Sequence, residues 1–169
     1  MTDIRLSEHF MLSEFTRSTT AERLGITNSL DPSNPLDEEV INNLSNLCQQ
    51  VLEPLRAYVG QPIVIASGYR SAALNKAVGG AIASQHLTGE AADIRLPVYS
   101  FKGPDGQRFT NIEQLNKRFA WLMNNTDFDQ LIKETTNRQI YWIHVSCKAD
   151  RSQNRHQVIH FLSASRKTH

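Results

Sequence analysis

Cysteine is scarce: Cys48 and Cys147 are the only two in 169 residues. They share no metal-ligand spacing and are too few to staple a small secreted domain, which excludes a disulfide framework and leaves two reduced thiols. Long apolar runs are missing as well. No stretch approaches membrane-spanning length, and Met1–Phe10 carries Asp3, Arg5, Glu8 and His9 where a secretory signal would be apolar. The expectation is therefore a chain without a membrane span, cytoplasmic at synthesis. An excess of one charge is absent too: a net charge of +1 gives no field for nucleic acid, and no basic stripe is interleaved with aromatics. What the composition does offer is 40% hydrophobic residues, enough for one ordinary core. We expect a single domain over 1–169, monomeric, with a loop-rich cover at 1–35 and a frayed tail at 163–169.

The chemistry concentrates in Ser84-Gln85-His86-Leu87-Thr88-Gly89-Glu90-Ala91-Ala92-Asp93. An imidazole and, seven residues later, a carboxylate are ordinary zinc donors. Gly89 lets the backbone turn between them, and Ala91 and Ala92 leave room for a sheet to crowd an ion. If Glu90–Leu96 is a strand, alternation puts Asp93 with Ala91 and Arg95 on one face and Ala92, Ile94 and Leu96 on the other. The third ligand is expected from Ile140-Tyr141-Trp142-Ile143-His144-Val145-Ser146. There Ile143 and Val145 mark a core face, and Trp142, His144 and Ser146 the opposite one. Two histidines and one carboxylate, with one coordination position open, describe a hydrolytic zinc better than a structural one. Non-haem iron also accepts this set, but hydrolysis needs no redox ion.

Ser-x-His-x-x-Gly-x-Ala-x-Asp followed by a Trp-x-His strand resembles the zinc D-Ala-D-Ala carboxypeptidase family. That family includes L-alanyl-D-glutamate endolysins and, more distantly, hedgehog-type domains. Ser67-Gly68-Tyr69-Arg70-Ser71 looks like its substrate-side arginine motif, and with Asn75 and Gly79-Gly80 the likeness runs from about Leu6 to Ser146. The resemblance implies an α+β fold, a small, mostly antiparallel sheet carrying the zinc site and packed by helices. It implies cleavage of peptidoglycan stem peptides, with His86, Asp93 and His144 as ligands and Tyr69 and Arg70 on the substrate side. A zinc-binding module of the same fold without catalysis, holding wall peptide or a protein partner, is the alternative. Lacking a signal, the chain would reach the wall as a phage-type lysin does.

By position alone, Arg70 at a strand end either grips a substrate carboxylate, polarises the scissile carbonyl as a catalytic residue, or pairs with a structural acid. Ser84 either binds substrate, orients a ligand or makes a turn hydrogen bond. Family members place an acid three residues before the second histidine; here that position is Tyr141, so the resemblance supplies no general base. Glu134, at the end of the neighbouring strand, is the candidate. Asp129 is expected to project elsewhere, and alternation turns Glu90 away from Asp93.

Around the site, apolar positions from Leu36 to Val59 recur at three and four, predicting a long amphipathic helix that Pro54 bends or closes early. A strand is predicted over Pro62–Ala66 and a helix over Ser71–Val78. Pro97–Gln107 reads as an exposed connection, followed by a helix from Thr110 to Asn125. Phe128–Lys133 and Gln139–Ser146 should pair antiparallel, with Gln157–Leu162 as an edge. The remaining histidines, His9, His156, His160 and His169, and the basic residues Lys148, Arg151, Arg155, Arg166 and Lys167 read as solvated surface.

Overall fold

The computed structural model describes residues 3–96, 100–102, 104–106, 108–110, 112–136 and 139–163. Side chains are described there except at 100–102, 108–110, 134–136, 139–141 and 162–163. Two short helices, α1 (Leu12–Thr16) and α2 (Thr19–Leu24), open the chain. The expected cover is thus partly helical, and it is core: Leu6, Phe10, Leu12 and Phe15 are buried, although Leu24 is exposed.

The long helix forms as three consecutive pieces: α3 (Pro35–Leu47), a π-helical turn (Cys48–Leu52) and α4 (Glu53–Val59). Pro54 does not close it early. A proline ring clashes with the carbonyl four residues back, and the wider π turn before Pro54, with the Glu53 amide bonded to the Cys48 carbonyl, accommodates it. Gly60, at φ 71°, then ends the helix.

After β1 (Val64–Ser67), α5 (Ala72–Ala77) is capped by the Ser71 hydroxyl, which accepts from the Leu74 amide. β2 (Ala91–Arg95) follows. The stretch expected as a connection instead holds a small hairpin of β3 (Ser100–Lys102) and β4 (Arg108–Thr110). Helix α6 spans Ile112–Asn125; the expected Thr110 cap lies outside the described side chains. β5 (Gln130–Thr136), β6 (Gln139–Ser146) and β7 (Gln157–Ser163) complete the main sheet in the order β1-β2-β6-β5-β7. All its pairings are antiparallel except β5 with β7, which is parallel. The fold is α+β, as the resemblance implied.

Alternation divides this sheet into two chemistries. On one face run the rows Ala92–Val145–Leu131 and Ile65–Ile94–Ile143, paired across the strands and buried against Leu44, Leu47, Leu52, Phe119 and Leu122 from the helices. The next row, Ser67–Asp93–His144–Ile132, belongs to the other face. A buried apolar side chain contributes about 1.5–3 kcal/mol, and a one-residue slip would move this whole set to the wrong face. The core therefore fixes the register that places Asp93 beside His144. Among the described residues, no helix is long and apolar enough to cross a membrane.

Candidate metal centre

Asp93 faces His144 directly across the β2–β6 pair. Cross-strand partners hold their Cβ atoms about 5 Å apart, close enough for a shared ion. His86 comes from the loop before β2. Gly89 turns that loop at φ 74°, and a Cβ there would stand 2.5 Å from the Val40 carbonyl oxygen, so both backbone conformation and contact with α3 require glycine.

The loop leaving β1 clamps His86 from two sides. Its Nδ1 lies 2.6 Å from the Gly68 carbonyl oxygen, and the Arg70 amide donates to its own carbonyl at 3.0 Å. The Ser84 hydroxyl accepts the His86 amide at 3.3 Å, which is the turn hydrogen bond. Gly68 itself is fixed by α1: a Cβ there would come within 2.6 Å of the Phe15 Cα. The N-terminal helix thus braces the loop that braces the histidine.

A carbonyl oxygen only accepts, so the proton of a neutral His86 sits on Nδ1 and its Nε2 presents a lone pair. That lone pair faces Asp93 Oδ1 at 3.3 Å, and His144 Nδ1 approaches the same oxygen at 3.0 Å. Two such electron-rich atoms at this distance call for a cation between them. Donor atoms around a tetrahedral zinc are separated by about 3.3 Å, given metal–ligand bonds of roughly 2.0–2.1 Å. His86, Asp93 and His144 are the group of donors found among the described residues, with ligand atoms all within 4.8 Å of one another. Among the described residues, His144 Nε2 is buried without a hydrogen-bond partner, and the imidazole is placed by packing and by what it shares with Asp93. The donor set fits a small divalent cation.

Asp93 is nearly buried. Desolvation pushes its carboxyl up, but the two imidazoles beside it, His144 and His86, outweigh burial and hold the group well below the usual carboxylate range. Its second oxygen, Oδ2, accepts from Arg70 Nη2 at 3.0 Å, and Arg70 Nε donates to the Ser67 hydroxyl at 3.1 Å. A bulge between Ile65 and Ser67 brings Ser67 opposite Asp93, which aligns the whole set. Arg70 therefore does pair with an acid, and that acid is itself a candidate ligand.

A family model described as peptidase M15 matches residues 8–146. The chain belongs to the peptidase M15 family. No curated protein matches it. Membership supports a hydrolase acting on a peptide substrate, and M15 peptidases are metal-dependent, in keeping with the His86–Asp93–His144 cluster.

Other expected site residues stand as follows in this M15 chain. Tyr69 is half-buried against the core, and burial pushes its phenol upward. Glu134 occupies the bulge between Lys133 and Thr135, two residues beyond Ile132, the β5 partner of His144; its side chain and that of Tyr141 lie outside the described residues. Glu90 turns away, accepting from Thr88 and from the Ala149 amide. Cys147 is buried against the Asp127 carbonyl and Asn154.

Sequence reasoning missed a second buried carboxylate. Asp129 is fully buried and accepts the Arg155 amide, Arg155 Nε and Nη2, and Gln85 Nε2. Arg155 is exposed, as expected, but its guanidinium also neutralises a buried acid. Likewise His9 contacts Glu53 at 2.8 Å and His156 contacts Asp127 at 3.0 Å. No spacing in the sequence signals these pairs, because their partners lie 26 to 44 positions apart.

Proposed function

We propose that this M15 peptidase is a zinc enzyme hydrolysing peptidoglycan stem peptides, as a D-Ala-D-Ala carboxypeptidase or an endolysin-type endopeptidase. The observation that carries this reading is the His86 lone pair held against a carboxylate oxygen that His144 also approaches. His86, Asp93 and His144 would hold the ion. Bound zinc supplies Lewis acidity, acidifying water and polarising a peptide carbonyl.

The chain's own residues do the rest. Asp93 stays ionised, and Arg70 fixes its orientation by occupying Oδ2, so only Oδ1 is offered to an ion. The rest of the Arg70 fork is assigned to substrate, as are Ser84 and Tyr69. Glu134 is assigned the proton transfer from water to the leaving amine, because β5 runs alongside the His144 strand and the acid of related peptidases is replaced by Tyr141.

That replacement also favours a second reading, a zinc-binding module that holds wall peptide or a protein partner without cutting. Incubating zinc-loaded protein with purified muropeptides separates the two. A new free amine with the wild type, reduced about 10²–10⁴-fold in Glu134→Gln with zinc content unchanged, establishes the enzyme and its base. Full activity in Glu134→Gln rejects the base alone. No product with any divalent metal leaves the module.

A further inference from the structure

Beside the metal centre lies a cleft of about 470 Å³ that the zinc site does not use. All four residues of β1 line it. The cavity follows the whole length of this strand. Among the described residues, β1 is the edge of the main sheet and pairs with β2 alone.

The charge of this cleft has one sign. Among the described residues, Arg17, Arg70 and Arg95 line it, and no aspartate or glutamate does. Arg70 is committed to Asp93, but among the described residues neither Arg17 nor Arg95 has a carboxylate partner, and both are exposed. Arg95 shares a strand and a sheet face with Asp93. Two residues along a strand span about 7 Å, so a peptide whose scissile bond sits at Asp93 passes Arg95 within two residues. Ile65, Leu74 and Val78 add an apolar lining on which small side chains can rest.

Resting on the peptidase reading above, we propose that this cleft is an acidic-peptide subsite: an extended substrate lies along β1, and a free carboxylate within two residues of the cleaved bond is gripped by Arg17 and Arg95. Charge then selects substrate. A stem peptide with a free α-carboxylate on its glutamate is preferred over one in which that group is an amide.

The test is equilibrium binding to metal-free protein, followed by fluorescence anisotropy. The probes are labelled L-Ala-γ-D-Glu-L-Lys-D-Ala-D-Ala and its α-amidated counterpart. The wild type should bind the free acid about tenfold or more tightly, the effect of one charge-assisted contact, and the preference should shrink as salt rises. Arg17→Glu and Arg95→Glu should each abolish the preference while melting at the wild-type temperature, and Arg95→Gln should weaken it. Equal affinity for the two peptides, absence of binding, or a preference that survives both charge reversals overturns the proposal. Since the readout needs no turnover, protein that discriminates the peptides but never cleaves them rejects the hydrolase and leaves the subsite. Protein that cleaves both with equal kcat/KM rejects the subsite and leaves the hydrolase.

Discussion

Gln85 donates its side-chain amide to Oδ2 of Asp129 at 2.9 Å, tying the residue before a candidate zinc ligand to a carboxylate buried at the start of β5. Arg155 holds the same carboxylate from the other side at 2.6 Å. The loop carrying His86 is therefore anchored at three points: Gly68, Arg70 and Asp129. Removing one should loosen the ligand without unfolding the sheet. Gln85→Ala is expected to lower zinc affinity about tenfold, as outer contacts of metal sites generally do, with little change in Tm. Chelator competition measures it; unchanged affinity would show that this tie positions nothing.

The same carboxylate gives the fold an acid limit. Burial raises the Asp129 carboxyl, yet the hydrogen bonds from Arg155 and Gln85 prevail and bring it down to about 2, against 3.8 ordinarily. The unfolded chain thus takes up this proton first as pH falls. The contribution of Asp129 to stability is complete above about pH 4 and disappears toward pH 2. Asp129→Asn should destabilise by about 2 kcal/mol at neutral pH and flatten that part of the acid profile. Denaturant titrations from pH 7 to 2 read both effects.

Gly89→Ala tests the turn between His86 and Asp93. A side chain there meets both an unfavourable positive φ and the Val40 carbonyl at 2.5 Å. The expected loss is about 2–4 kcal/mol, together with weakened zinc binding. A variant as stable as the wild type would mean that the loop has room to shift away from α3.

Substitution of the ligands separates metal from fold. His86→Ala, Asp93→Asn and His144→Ala should each reduce zinc affinity by more than the roughly 10–100-fold seen for outer-shell changes. Metal analysis of protein purified without added metal should find about one zinc per chain in the wild type and little in the variants. Full zinc occupancy in any of the three removes that residue from the site.

Both thiols should be silent in the native protein. Cys48 and Cys147 are completely buried, and burial pushes both thiols upward, which suppresses the reactive thiolate. Ellman's reagent should modify neither at pH 8 and both in denaturant. Rapid native labelling of Cys147 would place it far closer to solvent than its contacts with Asn46 and Asn154 allow.

The sequence by itself determined the two ligand strands. Ala92 and Ile94 in one, and Ile143 and Val145 in the other, alternate so regularly that burying them forces Asp93 and His144 onto the opposite face. Period-3.6 spacing likewise marked the long helix, and Ser71 with Gly79 bounded α5. These are local patterns, set by which side of an element must leave water. Only the tertiary structure decided the rest. It alone placed β7 parallel to β5, Arg70 on the far oxygen of Asp93, Gly68 beneath His86 and Arg155 against Asp129. It also carried the helix past Pro54 by widening one turn and set a hairpin where a connection was expected. Each of these joins residues distant in sequence, or turns on how packing absorbs a local conflict. Periodicity records burial, but it carries no information about which distant polar group will satisfy a buried charge.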